Sequence, residues 1–146
     1  MNQFEIFFDA FYLSLVIFLG IRMLLIEDKD SKILGSMTLL LGLGDSFHLV
    51  PRIIANVESN GFILNSFGLF LGTRVSAITM SIFYLLFYFY IKKKRNAKDK
   101  ALDFSIIILF VLRLLFVILS FNQSEKMDLI SNVPFVLMGL IDIFLL

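Results

Sequence analysis

Residues 39–52 read LLLGLGDSFHLVPR, an apolar run that continues into a group of polar side chains. The polar members are Asp45, Ser46, His48 and Arg52. On a helix, residues three or four positions apart lie on one face, so Asp45, His48 and Arg52 share a face. Ionisable groups inside a membrane-spanning helix are rare and mark candidate functional sites. This stretch therefore predicts a membrane helix that carries a polar site.

The composition of the whole chain predicts a membrane environment. Of its 146 residues, 59% are hydrophobic and 17% are charged. Soluble domains contain about 25% charged residues. The mean hydropathy is +0.92, and the chain has 18 Phe but no Trp or Cys. A soluble fold of this length could not bury so much apolar surface, so the predicted solvent of the chain is a lipid bilayer.

Five apolar runs predict an all-α polytopic transmembrane helix bundle that forms a single domain over residues 1–146. The predicted spans cover roughly residues 4–26, 33–54, 67–91, 102–121 and 129–146. The last run ends the chain in apolar residues without a polar flank. We therefore also consider that the sequence is a truncated form of a larger membrane protein.

A basic run between the third and fourth spans predicts the orientation of the chain. It begins with Lys92, Lys93, Lys94 and Arg95, whereas the first residues contain no Lys or Arg. Basic loops of membrane proteins stay in the cytoplasm. The rule places loop 92–100 in the cytoplasm and the N-terminus outside, in a plasma membrane. The same residues have the composition of an anionic-lipid patch, and so short a hairpin argues against nucleic-acid binding.

Four charged positions define the interior of the predicted bundle, Asp45 and three further ones: Arg74, Arg113 and Asp142. The helical rise places Asp45 and Arg74 in the outer half of the membrane and the other two near its midplane. Buried charges in membranes pair with one another, and we expect Asp45 to pair with Arg74. The residues could lock the bundle through ion pairs, or could act as ligand-binding or proton-relay groups, and the sequence leaves both readings open.

Small residues predict where helices approach each other closely. The second span carries Gly35, Thr38 and Gly42 in line with Asp45, Leu49 and Arg52, and the third carries the row Gly68, Gly72 and Ser76. These rows also offer a surface for a homo-oligomer.

Pro51 predicts a disturbance in the second span. It lacks an N–H, so the Phe47 carbonyl loses its helical partner and the helix should kink or end near His48. Unpaired backbone at membrane depth needs protein or water beside it. We therefore expect a water-accessible pocket that opens to the outside and is floored by Asp45.

Residues 42–52, GLGDSFHLVPR, resemble the second-helix motif of a group of uncharacterised bacterial multi-pass membrane proteins. The resemblance implies seven helices in a full-length chain and no known activity. More distantly, Gly-x-Gly followed by Phe-His is similar to the second helix of alkaline ceramidases and the adiponectin-receptor superfamily, which are zinc-dependent intramembrane amide hydrolases. Their pattern has a serine where this chain has Gly44, and late histidines that this chain lacks.

Two functions from different classes remain open. The first is a non-enzymatic bundle that binds, transports or senses a small polar ligand or lipid head group. In it Arg74 and Arg113 attract an anion, and Asp45 and His48 tune or relay a proton. The second is a ceramidase-like hydrolase with His48 as a metal ligand and Asp45 orienting it. One His and no Cys predict no tightly bound metal and no cofactor.

Overall fold

The computed structural model describes residues 3–120 and 125–146, which form six helices and no strand. The helices are α1 (Gln3–Leu24), α2 (Lys29–Val57), α3 (Gly61–Leu64), α4 (Ser66–Arg95), α5 (Lys100–Leu119) and α6 (Glu125–Leu145). The predicted end of the fourth span at residue 121 lies outside the described residues.

The predicted all-α bundle of about five spans is confirmed. Within the described residues, α1, α2, α4 and α5 have 22, 29, 30 and 20 residues and are long and apolar enough to cross a membrane. The fifth predicted span corresponds to α6, which has 21 residues and rises ~31 Å, close to the ~30 Å hydrocarbon thickness. Its apolar part is the shorter stretch Asn132–Leu145. Large apolar side chains such as Phe4, Phe7 and Phe11 point outward, as lipid contact requires. The chain is a multi-pass membrane protein.

Two helices extend further into the polar connections than predicted: α2 at its start and α4 at its end. The second helix begins at Lys29, because Asp28 caps it by accepting from the Ser31 backbone N–H at 2.8 Å. The predicted basic loop is partly helical, since Lys92, Lys93, Lys94 and Arg95 form the last turn of α4. Basic side chains interact favourably with the negative end of a helix dipole. The helix ends where Asn96 adopts a left-handed φ of 52°.

Pro51 was predicted to kink or end the second span near His48. The helix does not end there, because α2 continues through Pro51 to Val57, and the kink stays a prediction. The Phe47 carbonyl that the proline leaves without a helical partner lies against Gly72 of α4. A Cβ at Gly72 would overlap this oxygen, so a Cα–H of the glycine points at it instead. Such contacts are weak hydrogen bonds and help the helix tolerate its interior proline.

A turn at Asn60 and Gly61 follows the end of α2. Asn60 has a left-handed φ of 60°, and the short helix α3 follows it. A Cβ at Gly61 would overlap the backbone of Ala55, so glycine is required for the chain to fold back onto the end of α2.

The chain divides into two compact units, Met1–Thr79 and Met80–Leu146, called here the N-terminal and the C-terminal unit. The N-terminal unit contains α1, α2, α3 and the first part of α4. The C-terminal unit contains the rest of α4 with α5 and α6, and its core is formed by large side chains: Tyr88, Ile91, Ile106, Met138 and Leu145.

Candidate functional site

In the N-terminal unit, α1 and α2 form an antiparallel pair that is joined by small residues at one end and polar residues at the other. The small end has Gly35 against the backbone of Gly20, and Gly42 against Val16. The seam predicted along the second span is therefore a packing face, and its partner is α1.

Asp45 begins the polar end of this seam and is only 7% exposed. Its Oδ2 accepts a hydrogen bond from the Tyr12 hydroxyl at 2.8 Å, and its Oδ1 accepts one from the Ser76 hydroxyl of α4. The predicted ion pair between Asp45 and Arg74 is wrong. Each carboxylate oxygen has a hydroxyl donor, which satisfies a buried carboxylate without a second buried charge.

Arg52 is the next polar position towards the Val57 end of α2. Its guanidinium forms a two-pronged ion pair with Asp9 of α1, in which Nε donates to Oδ2 at 2.6 Å and the second nitrogen donates to Oδ1. Asp9 is buried, whereas the Arg52 side chain remains 32% exposed. A two-pronged pair fixes the geometry of both side chains. The buried carboxylate of Asp9 is thus the acidic partner of Arg52.

Asn56 extends the polar row by one more turn. Its side-chain amide donates to the Arg52 carbonyl at 3.1 Å and reaches Glu5 of α1 at 3.5 Å. Sequence reasoning did not identify the partners on α1. Glu5, Asp9 and Tyr12 recur at spacings of four and three, and this pattern is the signal that could have found them.

The predicted packing face of the third span is confirmed. Gly68 lies against the Pro51 ring and Gly72 against the backbone of Phe47 and His48, while Ser76 donates to Asp45. A second close approach has Gly44 of α2 against Thr79 of α4. The glycine faces are therefore used inside the N-terminal unit, and a homo-oligomer through them stays a prediction.

His48 and Ser46 form hydrogen bonds with groups outside the ion pair. The His48 Nδ1 lies 3.2 Å from the Thr73 hydroxyl, and the Ser46 hydroxyl donates to the Leu43 carbonyl at 2.6 Å. No group of three metal-ligating side chains comes together in the described residues. Since a catalytic zinc needs three protein ligands, these residues do not fit the metal site that the ceramidase resemblance implies.

A cavity of about 350 Å³ lies at the Val57 end of α2. Its lining consists of Ala55, Asn56, Glu58, Asn60, Gly61, Phe62 and Ile63. Asn56 thus connects the cavity to the polar row, whereas Asp45 is not among the lining residues, so this cavity is not the pocket predicted from Pro51. The Glu58 carboxylate is held in place by the Asn65 amide at 3.1 Å.

The two predicted membrane arginines both lie beside aromatic rings. The Arg74 guanidinium lies 3.7 Å from the centre of the Phe70 ring, and that of Arg113 lies 5.7 Å from the centre of the Phe135 ring. Both arginines are buried, and neither lines the cavity at the end of α2. Their predicted role in anion attraction stays a prediction.

The basic end of the C-terminal unit has its own polar group. Asp103 of α5 accepts from the Tyr88 hydroxyl at 2.8 Å and forms an ion pair with Lys92. A cavity of about 340 Å³ adjoins this pair and is lined by Phe89, Lys92, Lys93, Asn96, Ala97 and Lys98. Three lysines around one cavity are suited to an anionic head group.

Asp142 of α6 differs from the other buried carboxylates. It is 1% exposed, and neither of its oxygens accepts a hydrogen bond from a described residue. The sequence predicted it as a ligand or proton-relay candidate, and the structure adds that its carboxyl oxygens lack hydrogen-bond donors among the described residues.

Comparison with models of protein families, with curated proteins and with solved structures finds no match for this chain.

Proposed function

We propose that the protein is a non-enzymatic membrane protein that binds a small polar ligand at the Val57 end of α2, as a transporter or sensor does. The observation that carries the proposal is the cavity of about 350 Å³ lined by Asn56, Glu58 and Asn60 together with Phe62 and Ile63. A few polar groups among apolar walls are typical of ligand-binding cavities. The same mixture suits an amphiphile, whose head meets the polar groups and whose chain meets the apolar ones.

The charge of the lining favours a ligand that carries a primary ammonium group. Glu58 is the charged residue among the lining side chains, and the amide oxygens of Asn56 and Asn60 are further acceptors. An ammonium group has N–H donors for these oxygens, whereas a quaternary ammonium needs an aromatic cage. Phe62 is the one aromatic side chain in the lining. We therefore infer an ethanolamine-like head group.

The polar row below the cavity has a supporting role in this proposal. Asp9 and Arg52 neutralise each other, and Asp45 has two hydroxyl donors. Groups whose bonding capacity is filled hold helices in place and are poor candidates for chemistry. This arrangement supports binding over the ceramidase-like hydrolase.

The proposed function includes an orientation in a plasma membrane. We propose that the basic end of α4 and loop 92–100 lie in the cytoplasm, and that the cavity at α3 opens to the outside. Reporter fusions after Lys98 should then report cytoplasm and fusions after Asn60 should report the outside. The reverse pattern would contradict the orientation. The family resemblance of residues 42–52 to bacterial multi-pass proteins is part of the same proposal.

Thermal unfolding of the purified protein in detergent tests the ligand. Glycerophosphoethanolamine should raise the Tm, and glycerophosphocholine should raise it much less, because binding to the folded state stabilises it. Glu58→Gln should abolish the difference between the two compounds. Glu27→Gln, which changes an exposed carboxylate in the α1–α2 connection, is the matched control and should keep the difference. Equal responses to both compounds in the unmodified protein would overturn the proposed ligand.

A further inference from the structure

Asp142 is the most isolated polar group in the described part of the C-terminal unit. It lies on α6 between Met138 and Leu145, which both belong to the buried core. Its side chain is 1% exposed, and neither oxygen accepts a hydrogen bond from a described residue. A buried carboxylate in this position would be an uncompensated charge.

The protonation state follows from the cost of that charge. An ionised carboxylate in an apolar interior is far more costly than a neutral carboxylic acid, and such groups bind a proton instead. Ionisable residues inside membrane proteins also mark proton relays. Asp142 should therefore hold a proton for most of the time and release it only when its surroundings change.

The groups that face Asp142 from the neighbouring helices define a route for the proton. From α4, the Tyr84 ring lies against Gly139, three residues before Asp142, and Tyr88 belongs to the same buried cluster as Met138 and Leu145 on either side of Asp142. On α5, Asp103 lies next to Tyr88, and the Arg113 guanidinium lies 5.7 Å from the centre of the Phe135 ring, two turns before Asp142 on α6. The Tyr88 hydroxyl donates to Asp103 at 2.8 Å.

Asp103 connects this buried tyrosine to water. It forms an ion pair with Lys92, and Lys92 lines the cavity of about 340 Å³ at the basic end of α4. Tyr88 is buried, whereas Asp103 and Lys92 are partly exposed. The Tyr88 hydroxyl is bonded to Asp103 and belongs to the buried cluster that surrounds Asp142 on α6. A hydroxyl can give one proton and receive another, so it is suited to a relay.

We propose that Asp142 is a proton-binding site that exchanges its proton with the basic end of α4 through Tyr88 and Asp103. In the loading step, a hydronium ion at the cavity gives one proton to Asp103 and becomes water. Tyr88 then gives its hydroxyl proton towards Asp142 and receives the proton of Asp103. The net change is one proton added to Asp142, with Tyr88 and Asp103 restored. The proposal does not depend on the ligand proposed for the N-terminal unit.

A hydrophobic carbodiimide is the first probe. N,N′-dicyclohexylcarbodiimide adds to a protonated carboxyl group: the acid proton goes to a nitrogen, the oxygen bonds to the central carbon, and an acyl shift gives a stable N-acylurea without a leaving group. The full chain in lipid nanodiscs should gain one adduct, located at Asp142 by peptide mass spectrometry. Labelling should decrease as the pH rises.

Three variants control the labelling experiment. Asp142→Asn should lose the adduct and Asp142→Glu should keep it, because only the second retains an acid. Asp45→Asn should keep the adduct, since Asp45 is a buried carboxyl whose oxygens both have hydroxyl donors. Equal labelling of the unmodified protein and Asp142→Asn, or no adduct in the unmodified protein, would overturn the proposal.

Infrared spectroscopy of the unmodified protein avoids any dependence on how a variant folds. A protonated carboxyl gives a C=O stretching band above the carboxylate region, and the band shifts when the proton is replaced by deuterium. The unmodified protein should show this band and Asp142→Glu should move it. Absence of a protonated-carboxyl band at neutral pH would contradict the proposal.

The rate of the deuterium shift tests the route. Tyr88→Phe removes the hydroxyl and should slow the exchange about a hundredfold, the lower end of the effect of a positioned proton-transfer group. Tyr90→Phe is the matched control, since Tyr90 lies on the same helix and contacts Lys94 instead. An unchanged exchange rate in Tyr88→Phe would remove Tyr88 from the route.

Discussion

Asp45 and Asp142 are both buried carboxyl groups on apolar helices, but their surroundings are opposite. In the N-terminal unit, the hydroxyls of Tyr12 and Ser76 donate to the two oxygens of Asp45. In the C-terminal unit, no described residue donates to Asp142. A satisfied carboxylate is a fixed part of the packing, whereas an unsatisfied one can change its protonation without breaking a bond. The comparison separates a structural carboxyl from a functional candidate.

The two units also differ in the size of the side chains that pack their helices together. The N-terminal unit brings backbones together at Gly35 and Gly72, which lets short polar side chains reach across helices. The C-terminal unit is filled by large side chains such as Tyr88 and Met138. Close backbones favour interhelical hydrogen bonds in membranes. The core around Asp142 consists mostly of large apolar side chains, and no described residue donates to its carboxyl oxygens.

The largest expected effect is the loss of one partner of the Asp9–Arg52 ion pair. Asp9→Asn or Arg52→Gln alone should lower the free energy of unfolding by about 3–5 kcal/mol, because each leaves an uncompensated charge. The double variant should lose less than the sum of the two. Unfolding by SDS titration in mixed micelles measures all three. Strict additivity would show that the two side chains do not stabilise each other.

The next effect tests the close packing of the N-terminal unit. Gly72→Ala should lower the free energy of unfolding towards the upper end of about 1–3 kcal/mol, because the new Cβ meets the Phe47 backbone, which cannot rotate away. Gly68→Ala lies one turn earlier on the same face, where a Cβ would stand 3.4 Å from the Pro51 ring. It should be tolerated. Similar losses in both variants would contradict the close approach at Phe47.

Replacing each of the two buried carboxyl groups by an amide is expected to have a smaller effect on stability. Asp45→Asn should lower the free energy of unfolding by about 1–2 kcal/mol, because an amide cannot accept from both hydroxyls. Asp142→Asn should be nearly neutral, since a protonated acid and an amide have the same shape and no hydrogen bond is lost. Denaturant titration of both variants decides this. A larger loss in Asp142→Asn than in Asp45→Asn would invert the comparison.

The sequence predicted those features that depend on one helix at a time. Apolar run lengths located the spans, and the spacing of Gly68, Gly72 and Ser76 identified a packing face. Pro51 indicated a lost hydrogen bond and, as its consequence, a kink or a helix end, of which the end is wrong. Tertiary contact with Gly72 compensates that loss, and a single-helix pattern does not contain the contact.

The pairing of charges could not be predicted because it depends on the register between helices. Depth alone matched Asp45 with Arg74, while the antiparallel α1–α2 pair brings Tyr12 to Asp45 and Asp9 to Arg52. A shift of one turn moves a side chain by ~5.4 Å, which is enough to exchange one partner for another. The burial of Asp142 without a donor likewise depends on which large side chains surround it.

The smallest expected effect is at a third carboxyl, which is exposed and lies outside the spans. Asp28 accepts from the Ser31 backbone N–H at 2.8 Å and from the Ser31 hydroxyl at 3.0 Å, and these bonds lower the pKa of Asp28 below its usual 3.8. Its stabilising effect on α2 is therefore present above pH ~4 and is lost as the pH falls through the lowered pKa.

Asp28→Asn separates the titration from the cap itself. Asparagine caps helices about as well as aspartate, so stability at pH 7 should hardly change. The loss of stability between pH 5 and 3, followed by denaturant unfolding, should be less steep in the variant because one titrating group is gone. Ser31→Ala, which keeps the backbone donor and removes the hydroxyl, should give an intermediate slope. If Asp28→Asn lost stability between pH 5 and 3 as steeply as the unmodified protein, the titration of Asp28 would not contribute to that loss. The protonation of Asp28 would then have no effect on stability, although its carboxyl group accepts two hydrogen bonds.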